Sequence, residues 1–550
     1  MSGFGERFRA AGYDVPKPLI PVEGKPIVEH VVDLFPGELN FIFVCNEEHL
    51  ASPRYRMREI LEACAPGARI VGIAPHKLGP VHAVSQVLGL LDPERPLLVN
   101  YCDFACYWSY AHFKRWITES RCDGAVPAYR GFHPHSLGTA NYAYILEHNG
   151  WLADIREKQP FTTSRMNEFA SSGTYYFARA AYFRDYARRA VDQNLSVGGE
   201  YYVSLLYRLM AGDGLRVGVY PLQHFMQWGT PEDVREYNEF SQMFRNLHRN
   251  RIEDVPEQRG TTIIPMAGAG SRFAAEGYEV PKPLIEVSGR PMAVQATRDL
   301  PRAERQVFVL RNDLAGLAQI RNTLENEWPN GRCVTLAELT DGQARTVLNG
   351  IAAARDMVTM DAPLTIGACD NGMLYAPDAF QALMDDAEVD LIVWGARAHA
   401  TAVRMPNMFS WIVADGDRVK KVSLKRPVGD PRSGIIVIGA FTCKRASDYV
   451  RAAERMIAAG DRTNNEFYVD ACVNHAIALG LHCRVLTVDS YLCWGTPDEL
   501  RSFEYWQSCF HKWVGHPYDL HGDSRVSTSA APALEARFAA KMPTVLHRES

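Results

Sequence analysis

Two short segments of this chain bring glycines and basic side chains together in a way suited to gripping phosphate. Near the start, Gly3-Phe-Gly5-Glu-Arg7-Phe8 is followed by Pro16-Lys17-Pro18. Near the middle, Gly268-Ala-Gly270-Ser-Arg272-Phe273 is followed by Pro281-Lys282-Pro283. Glycine lets the backbone come close to an anion and leaves N–H groups free to point at it. Arg7 and Arg272 add a guanidinium that can hold two phosphate oxygens at once. Lys17 and Lys282 stand between prolines that stiffen their loop, and an ammonium there can neutralise charge building on a phosphoryl group. A glycine-rich loop alone is a common turn. Its conjunction with Arg-Phe, Gly-Tyr and Pro-Lys-Pro-Leu, found in both segments, is far more specific.

Each loop is followed downstream by an apolar run that ends in an acid, Pro96-Leu-Leu-Val-Asn-Tyr-Cys-Asp103 and Pro363-Leu-Thr-Ile-Gly-Ala-Cys-Asp370. The carboxyl end of a strand is where α/β sheets bind ligands. Mg²⁺ favours one or two carboxylates plus phosphate oxygens, so Asp103 and Asp370 are candidate metal ligands.

The elements that must position these residues come from an internal repeat. Residues 1–28 align without a gap on residues 266–293. The correspondence continues in order through Gly79-Pro-Val-His-Ala-Val84 with Gly342-Gln-Ala-Arg-Thr-Val347, the two Asp-terminated runs, Glu157-Lys158-Gln-Pro160 with Leu424-Lys425-Arg-Pro427, Gly199-Glu200-Tyr-Tyr-Val203 with Asn465-Glu466-Phe-Tyr-Val469, and Trp228-Gly-Thr-Pro-Glu-Asp233 with Trp494-Gly-Thr-Pro-Asp-Glu499. Such collinearity means two whole domains of about 250 residues, the product of duplication. Short apolar, β-branched runs such as Thr261-Thr-Ile-Ile-Pro265, Asn40–Cys45 and Gln306–Leu310 alternate with helix-like stretches such as Tyr55–Ala63 and Leu314–Glu325. The reading is therefore α/β: two tandem, doubly wound, mostly parallel-sheet nucleotide-binding domains of Rossmann-like or GT-A type. Domain 1 is expected over residues 1–245 and domain 2 over 261–515. The polar stretch 246–260 reads as a linker, and the Ala/Ser/Pro-rich residues 516–550 read as a loosely ordered tail. Met1 falls opposite Met266, so domain 1 has no counterpart of Thr261–Pro265. Its first strand is expected to be missing, through a misplaced start or with another segment covering that place.

The combined signature resembles the nucleotidyltransferases of the sugar-phosphate pyrophosphorylase type, including the cytidylyltransferases of surface-polymer synthesis and MobA-like NTP transferases. The resemblance covers nearly all of both copies. It implies that Gly3, Gly5, Arg7 and Lys17, and likewise Gly268, Gly270, Arg272 and Lys282, hold the triphosphate of an NTP. It implies that Gly79 and Gly342 contact the base, that Asp103 and Asp370 bind Mg²⁺, and that Lys158 and Lys425 bind the phosphate of an acceptor. Glu200 and Glu466 are candidates for acceptor hydroxyls, or else carboxylates at a helix N-terminus. The implied reaction is attack of a phosphorylated sugar or polyol on the NTP α-phosphorus, with CTP or UTP as the favoured donor. One departure stands out. The family often carries a second metal carboxylate just before its Thr-Pro turn, where this chain has Gln227 and Cys493. Asp233 and Asp498, past the turn, are expected only to cap the following helix.

Bulk properties narrow the partners. A net charge of −5 argues against a protein held to nucleic acid or to an anionic membrane. No apolar run is long enough to span a bilayer, and the N-terminus lacks the apolar core of a signal peptide. The 12 Cys include no Cys-x-x-Cys pair and read as scattered buried thiols, so a cytoplasmic location is expected. The copies differ around the shared core, with His76-Lys77 before Gly79 but Thr340-Asp341 before Gly342. Two competent sites with different bases or acceptors are expected. The alternatives are a non-catalytic nucleotide-binding or regulatory role for one or both copies, and a glycosyltransferase, whose Asp-x-Asp motif is not found at either Asp.

Overall fold

A computed structural model describes residues 1–268, 270–397 and 400–540. The chain divides into two compact units. The first comprises Met1–Asn238 with the chain from Ala536 onward, and the second Glu239–Glu535.

Unit 2 is built on a nine-stranded sheet. Glu257–Pro265 lies between Arg302–Arg311 and Leu364–Ile366, parallel to both, and Gly331–Leu336 extends the parallel edge. The other half is mixed rather than parallel. Ile435–Cys443 wedges between Leu364–Ile366 and Leu391–Arg397, antiparallel to each. Its residues are buried along almost the whole strand, which is why it reads in sequence as an apolar run with no hint of direction. Apolar side chains on the two faces of the sheet, such as Ile263, Val307 and Val393 on one and Ile264, Phe308 and Trp394 on the other, seal it under helices.

Unit 1 repeats this plan with one break. Its main sheet has seven strands and ends at Leu97–Asn100, while Ile42–Asn46 and Arg69–Ile73 form a separate parallel pair. In unit 2 the corresponding pieces are joined by Glu257–Pro265; among the described residues of unit 1, no strand occupies that place.

Two expected segments are structured differently. Residues 246–260 are not a linker. Asn246–Arg249 complete the helix Pro231–Arg249, within which the division between units falls; Ile252 and Val255 are buried, and a strand begins at Glu257. The stretch 516–540 is folded, with Tyr518, Leu520 and Arg525 buried and a helix at Ala531–Ala540. Arg525 donates through Nε to Asp299 Oδ1 at 2.8 Å and through Nη1 to the carbonyl of Asn250 at 2.9 Å, both partners in unit 2. Its few apolar and charged anchors are spaced among Ala, Ser and Gly, so composition alone made the segment look solvated. Residues 541–550, the rest of the expected tail, lie outside the described residues.

Candidate functional site

Each glycine-rich loop ends in a glycine that has to be glycine for the backbone. Gly5 and Gly270 sit at φ 65° and 63°, capping the short helices Glu6–Ala10 and Ser271–Ala275 in the left-handed conformation. Gly3 and Gly268 are different. Neither has a positive φ, and a Cβ added at either would meet nothing within 4 Å. The fold does not require glycine there, and the space above the backbone is open. Arg7 and Arg272 lie on those helices, exposed, with no carboxylate partner among the described residues.

Lys17 and Lys282 open matching 3-10 turns after Pro16 and Pro281. Lys17 Nζ donates to Asp103 Oδ2 at 2.8 Å, and Lys282 Nζ donates to Asp370 Oδ2 at 2.5 Å and to the Gly495 carbonyl at 3.2 Å. Burial alone would lower both ammonium pKa values, but the facing carboxylate and its hydrogen bond outweigh it and hold both raised. Two small antiparallel sheets fix the partner turn, Phe104–Tyr107 with Gln223–Gln227 and Asn371–Leu374 with Ser490–Cys493. Through them the Asp103 carbonyl accepts from Trp228 N at 2.8 Å and the Asp370 carbonyl from Trp494 N at 3.0 Å. The structure thus brings together the loop Lys and the strand-end Asp of each repeat.

Lys158 and Lys425 follow matching strands and share a costly conformation, φ 58° and 52°. A non-glycine residue is held in that region only when its surroundings over-determine it. Lys158 Nζ donates to Tyr202 Oη at 2.6 Å, and Tyr202 Oη in turn donates to Glu200. Lys425 Nζ donates to the Met408 carbonyl at 2.6 Å and lies 5.3 Å from the centre of the Tyr468 ring. Tyr202 and Tyr468 were not singled out from the sequence, although both repeats carry a Tyr there. Glu200 and Glu466 precede the cap residues Tyr202 and Tyr468 and stand outside the first helical turn. A half-buried carboxyl faces the charge of the lysine in each unit, from a different position. In unit 1 it is Glu157, which accepts from Ser204 Oγ at 2.6 Å and is pushed by burial up to about 7. In unit 2 the equivalent of Glu157 is Leu424, and the acid stands on the helix as Asp470, likewise raised by burial.

Gly79 and Gly342 have a structural reason to be glycine. Their φ values are 85° and 132°, and a Cβ would lie 2.7 Å from Tyr201 N and 2.4 Å from Phe467 N. The surroundings differ between units. His76 and His82 stack edge-on at 4.5 Å beside Gly79. Beside Gly342, Asp341 accepts from Arg345 and Arg462, each at 2.5 Å, and Arg462 lies over the Phe467 ring at 4.1 Å.

The acid past the turn needs correction. The repeats pair Asp233 with Glu499, not with Asp498. Glu499 is buried, whereas Asp498 is half-exposed and pairs with Arg501 at 3.3 Å. Asp233 accepts at Oδ2 from Thr230 N and Oγ1 and is pushed by burial up to about 6.

Fold and loop together define a tandem α/β protein whose two units carry the same glycine-rich loop and the same Lys–Asp pair. A family model described as a MobA-like NTP transferase domain matches residues 1–165. That span holds Gly3, Gly5, Arg7, Lys17, Gly79, Asp103 and Lys158, and the second repeat carries the same motifs. Among curated proteins, the chain is 34% identical over 106 residues to the bifunctional protein GlmU of Burkholderia mallei (strain SAVP1), and equally to that of Burkholderia pseudomallei (strain 668). Each alignment covers 18% of this chain, and the chain spans 20% of the length of these relatives. Solved structures with a likeness include the nucleoside-diphosphate-sugar pyrophosphorylase from Vibrio cholerae RC9, at 22% identity and TM-score 0.37, covering 44% of this chain and 98% of that one. The inositol-1-phosphate CTP transferase of T. maritima aligns at 14% identity and TM-score 0.34, covering 46% of this chain and 95% of that one.

The carboxylates suit a divalent cation of the Mg²⁺ kind. Each Lys engages only Oδ2 of its Asp, which leaves the other carboxylate oxygen for a cation. Among the described residues, no group of three His, Cys, Asp or Glu side chains could hold a metal by itself, so a cation here would take further ligands from phosphate oxygens. No helix among the described residues is long and apolar enough to cross a membrane.

Proposed function

We propose that this chain is a nucleotidyltransferase with two sites, transferring the nucleoside monophosphate of an NTP to a phosphorylated sugar or polyol and releasing pyrophosphate. The observation that carries the reading is the repeated Lys–Asp pair, Lys17 with Asp103 and Lys282 with Asp370, beside a glycine-rich loop in both units.

The loop glycines and Arg7 or Arg272 would hold the β- and γ-phosphates. Lys158 or Lys425 would hold the acceptor phosphate, whose oxygen forms the new bond to the α-phosphorus while the α–β anhydride bond breaks. The leaving pyrophosphate carries away the electron pair. The acceptor is already an anion, so no general base is required, and catalysis comes from positioning and charge neutralisation. When bound, Mg²⁺ supplies further neutralisation of the triphosphate, with Asp103 and Asp370 as its protein ligands.

The two units differ beside Gly79 and Gly342, imidazoles in one and an Arg–Asp–Arg cluster in the other, which favours two donors or two acceptors over duplicated capacity. CTP or UTP is the favoured donor, the place of action the cytoplasm, and the product class a precursor of surface polysaccharide. The test is a pyrophosphate-release screen of the four NTPs against sugar and polyol phosphates with Mg²⁺. At least one pair should release pyrophosphate in step with formation of a nucleoside-diphosphate product. Silence across the screen, or turnover of an NDP-sugar onto an unphosphorylated acceptor instead, would overturn the reading.

A further inference from the structure

Asp299 joins two distant parts of unit 2. Its Oδ1 accepts from Arg525 Nε at 2.8 Å, and its Oδ2 accepts from Met373 N at 3.3 Å. Met373 belongs to the strand Asn371–Leu374, which starts immediately after Asp370. On the same strand, a Cβ at Gly372 would run into Asp299 Oδ2, so the close approach depends on that glycine. Asp299 and Arg525 are 1% and 3% exposed, and a charge pair so deep is screened little by solvent or salt.

The backbone of Arg525 grips the other half of the site. Its carbonyl accepts from Arg290 Nε at 3.2 Å and from Gln295 Nε2 at 3.1 Å. These side chains stand on the hairpin Glu286–Pro291 and the helix Met292–Arg298, the elements that follow the Lys282 turn in the chain. Gln507 adds to the grip, donating through Nε2 to Ser288 Oγ in the hairpin turn at 2.8 Å and to Tyr518 Oη at 2.9 Å. One buried polar network therefore ties the C-terminal segment to the elements that follow both Lys282 and Asp370.

Unit 1 lacks the ion pair at its centre. The repeat places Leu34 where unit 2 has Asp299, and Leu34 packs in an apolar cluster with Cys106, the counterpart of Met373. Where unit 2 has Gln295, unit 1 has His30, whose Nε2 lies 2.8 Å from the Val22 carbonyl in its own hairpin.

We propose that Arg525 is a positioning residue for the site of unit 2. Through Asp299 and the Met373 N–H, and through its own carbonyl, it sets Asp370 and Lys282 against each other, so that turnover in unit 2, and not in unit 1, depends on the C-terminal segment. The inference rests on the nucleotidyl-transfer reading. Catalysis by positioning is exposed to small displacements, and a shift of about 1 Å caused far from the chemistry can cost roughly a hundredfold.

The full-length chain carrying Lys17→Ala reads unit 2, and the chain carrying Lys282→Ala reads unit 1, each with an NTP and acceptor phosphate that it turns over. Arg525→Met should lower the kcat of unit 2 by about tenfold or more, with KM for the NTP unchanged, at a temperature where circular dichroism shows the chain folded. Unit 1 should be unaffected. Hydrogen exchange followed by mass spectrometry should quicken in residues 286–298 and 371–376, while the central strands Glu257–Pro265 and Arg302–Arg311 stay protected as in the parent. A parental kcat with a lowered unfolding temperature would make Arg525 a brace of the fold alone, and the inference falls with the nucleotidyl-transfer reading intact. Exchange quickened evenly across unit 2 would assign any loss of kcat to general destabilisation and would overturn it as well. A Lys17→Ala chain that releases no pyrophosphate from any NTP sinks the reading for unit 2, and the inference with it. Should Arg525→Met fail to fold, Asp299→Leu combined with Arg525→Met removes both charges together, a change that buried pairs tolerate better than loss of one partner. Its kcat should still fall, and a parental kcat there would overturn the inference.

Discussion

Lys282 Nζ lies 2.5 Å from Asp370 Oδ2, and Lys17 Nζ lies 2.8 Å from Asp103 Oδ2, so two units of one chain hold the same opposite charges at the same place beside the same loop. In both pairs each partner keeps between about a sixth and a quarter of its surface in contact with solvent. Under the proposed function, an incoming phosphate displaces the Asp from the ammonium, and each pair serves as a site for an anion rather than as a brace for the fold.

The loop glycines separate folding from binding. Gly342→Ala puts a Cβ 2.4 Å from the backbone of Phe467 at φ 132°, and should destabilise unit 2 by roughly 2–5 kcal/mol in urea unfolding. Gly268→Ala meets nothing and has no positive φ, so its unfolding should match the parent while nucleotide affinity falls. Equal stability losses in the two variants would contradict this division.

Lys158 tests whether backbone strain is retained for binding. Lys158→Gly relieves φ 58° and should be more stable than Lys158→Ala by about 1 kcal/mol. Both variants should show the same large rise in KM for the phosphorylated acceptor, since both lack the ammonium. A rise in one variant only would assign the defect to the loop and not to the charge.

Glu157 predicts a pH dependence of unit 1. Burial raises its folded pKa to about 7, above the unfolded carboxyl range near 4.3. Its contribution to stability is therefore complete below the unfolded value and is lost as pH rises toward 7. Glu157→Gln keeps an acceptor for Ser204 Oγ and should remove that loss, leaving the variant more stable than the parent by on the order of 2 kcal/mol at pH 8 and equal to it at pH 4. A parent curve flat between those values would contradict the assignment.

Much of the site was legible because the chain states it twice. A Gly at positions 5 and 270, a Lys between prolines and an Asp closing an apolar run each carry a local physical reason, and the repeat shows which are kept together. What was not legible depends on packing between distant segments. Nothing local in Arg525 says that it will bury itself against Asp299, and Tyr202 shows its role only once Lys158 is folded onto it. In the last turn Glu and Asp exchange order between the repeats, so residue type pairs Asp233 with Asp498 while position and burial pair it with Glu499.

The buried pair makes the C-terminal stretch part of unit 2. Arg525→Ala leaves the Asp299 carboxylate without its counter-ion in a position where burial already raises its pKa. The loss should be about 3–5 kcal/mol. Denaturation indistinguishable from the parent would mean that residues beyond 515 contribute nothing to unit 2.

The central claim is that each Lys–Asp pair serves nucleotidyl transfer, and substitution of the two lysines tests it most directly. With an NTP and acceptor that release pyrophosphate, Lys17→Ala and Lys282→Ala are assayed separately and together. Each single variant should lose the activity of its own unit by about 10²–10³-fold, and the double variant should lose total turnover by the same factor while remaining folded. Pyrophosphate release at the parental rate in the double variant would contradict the claim.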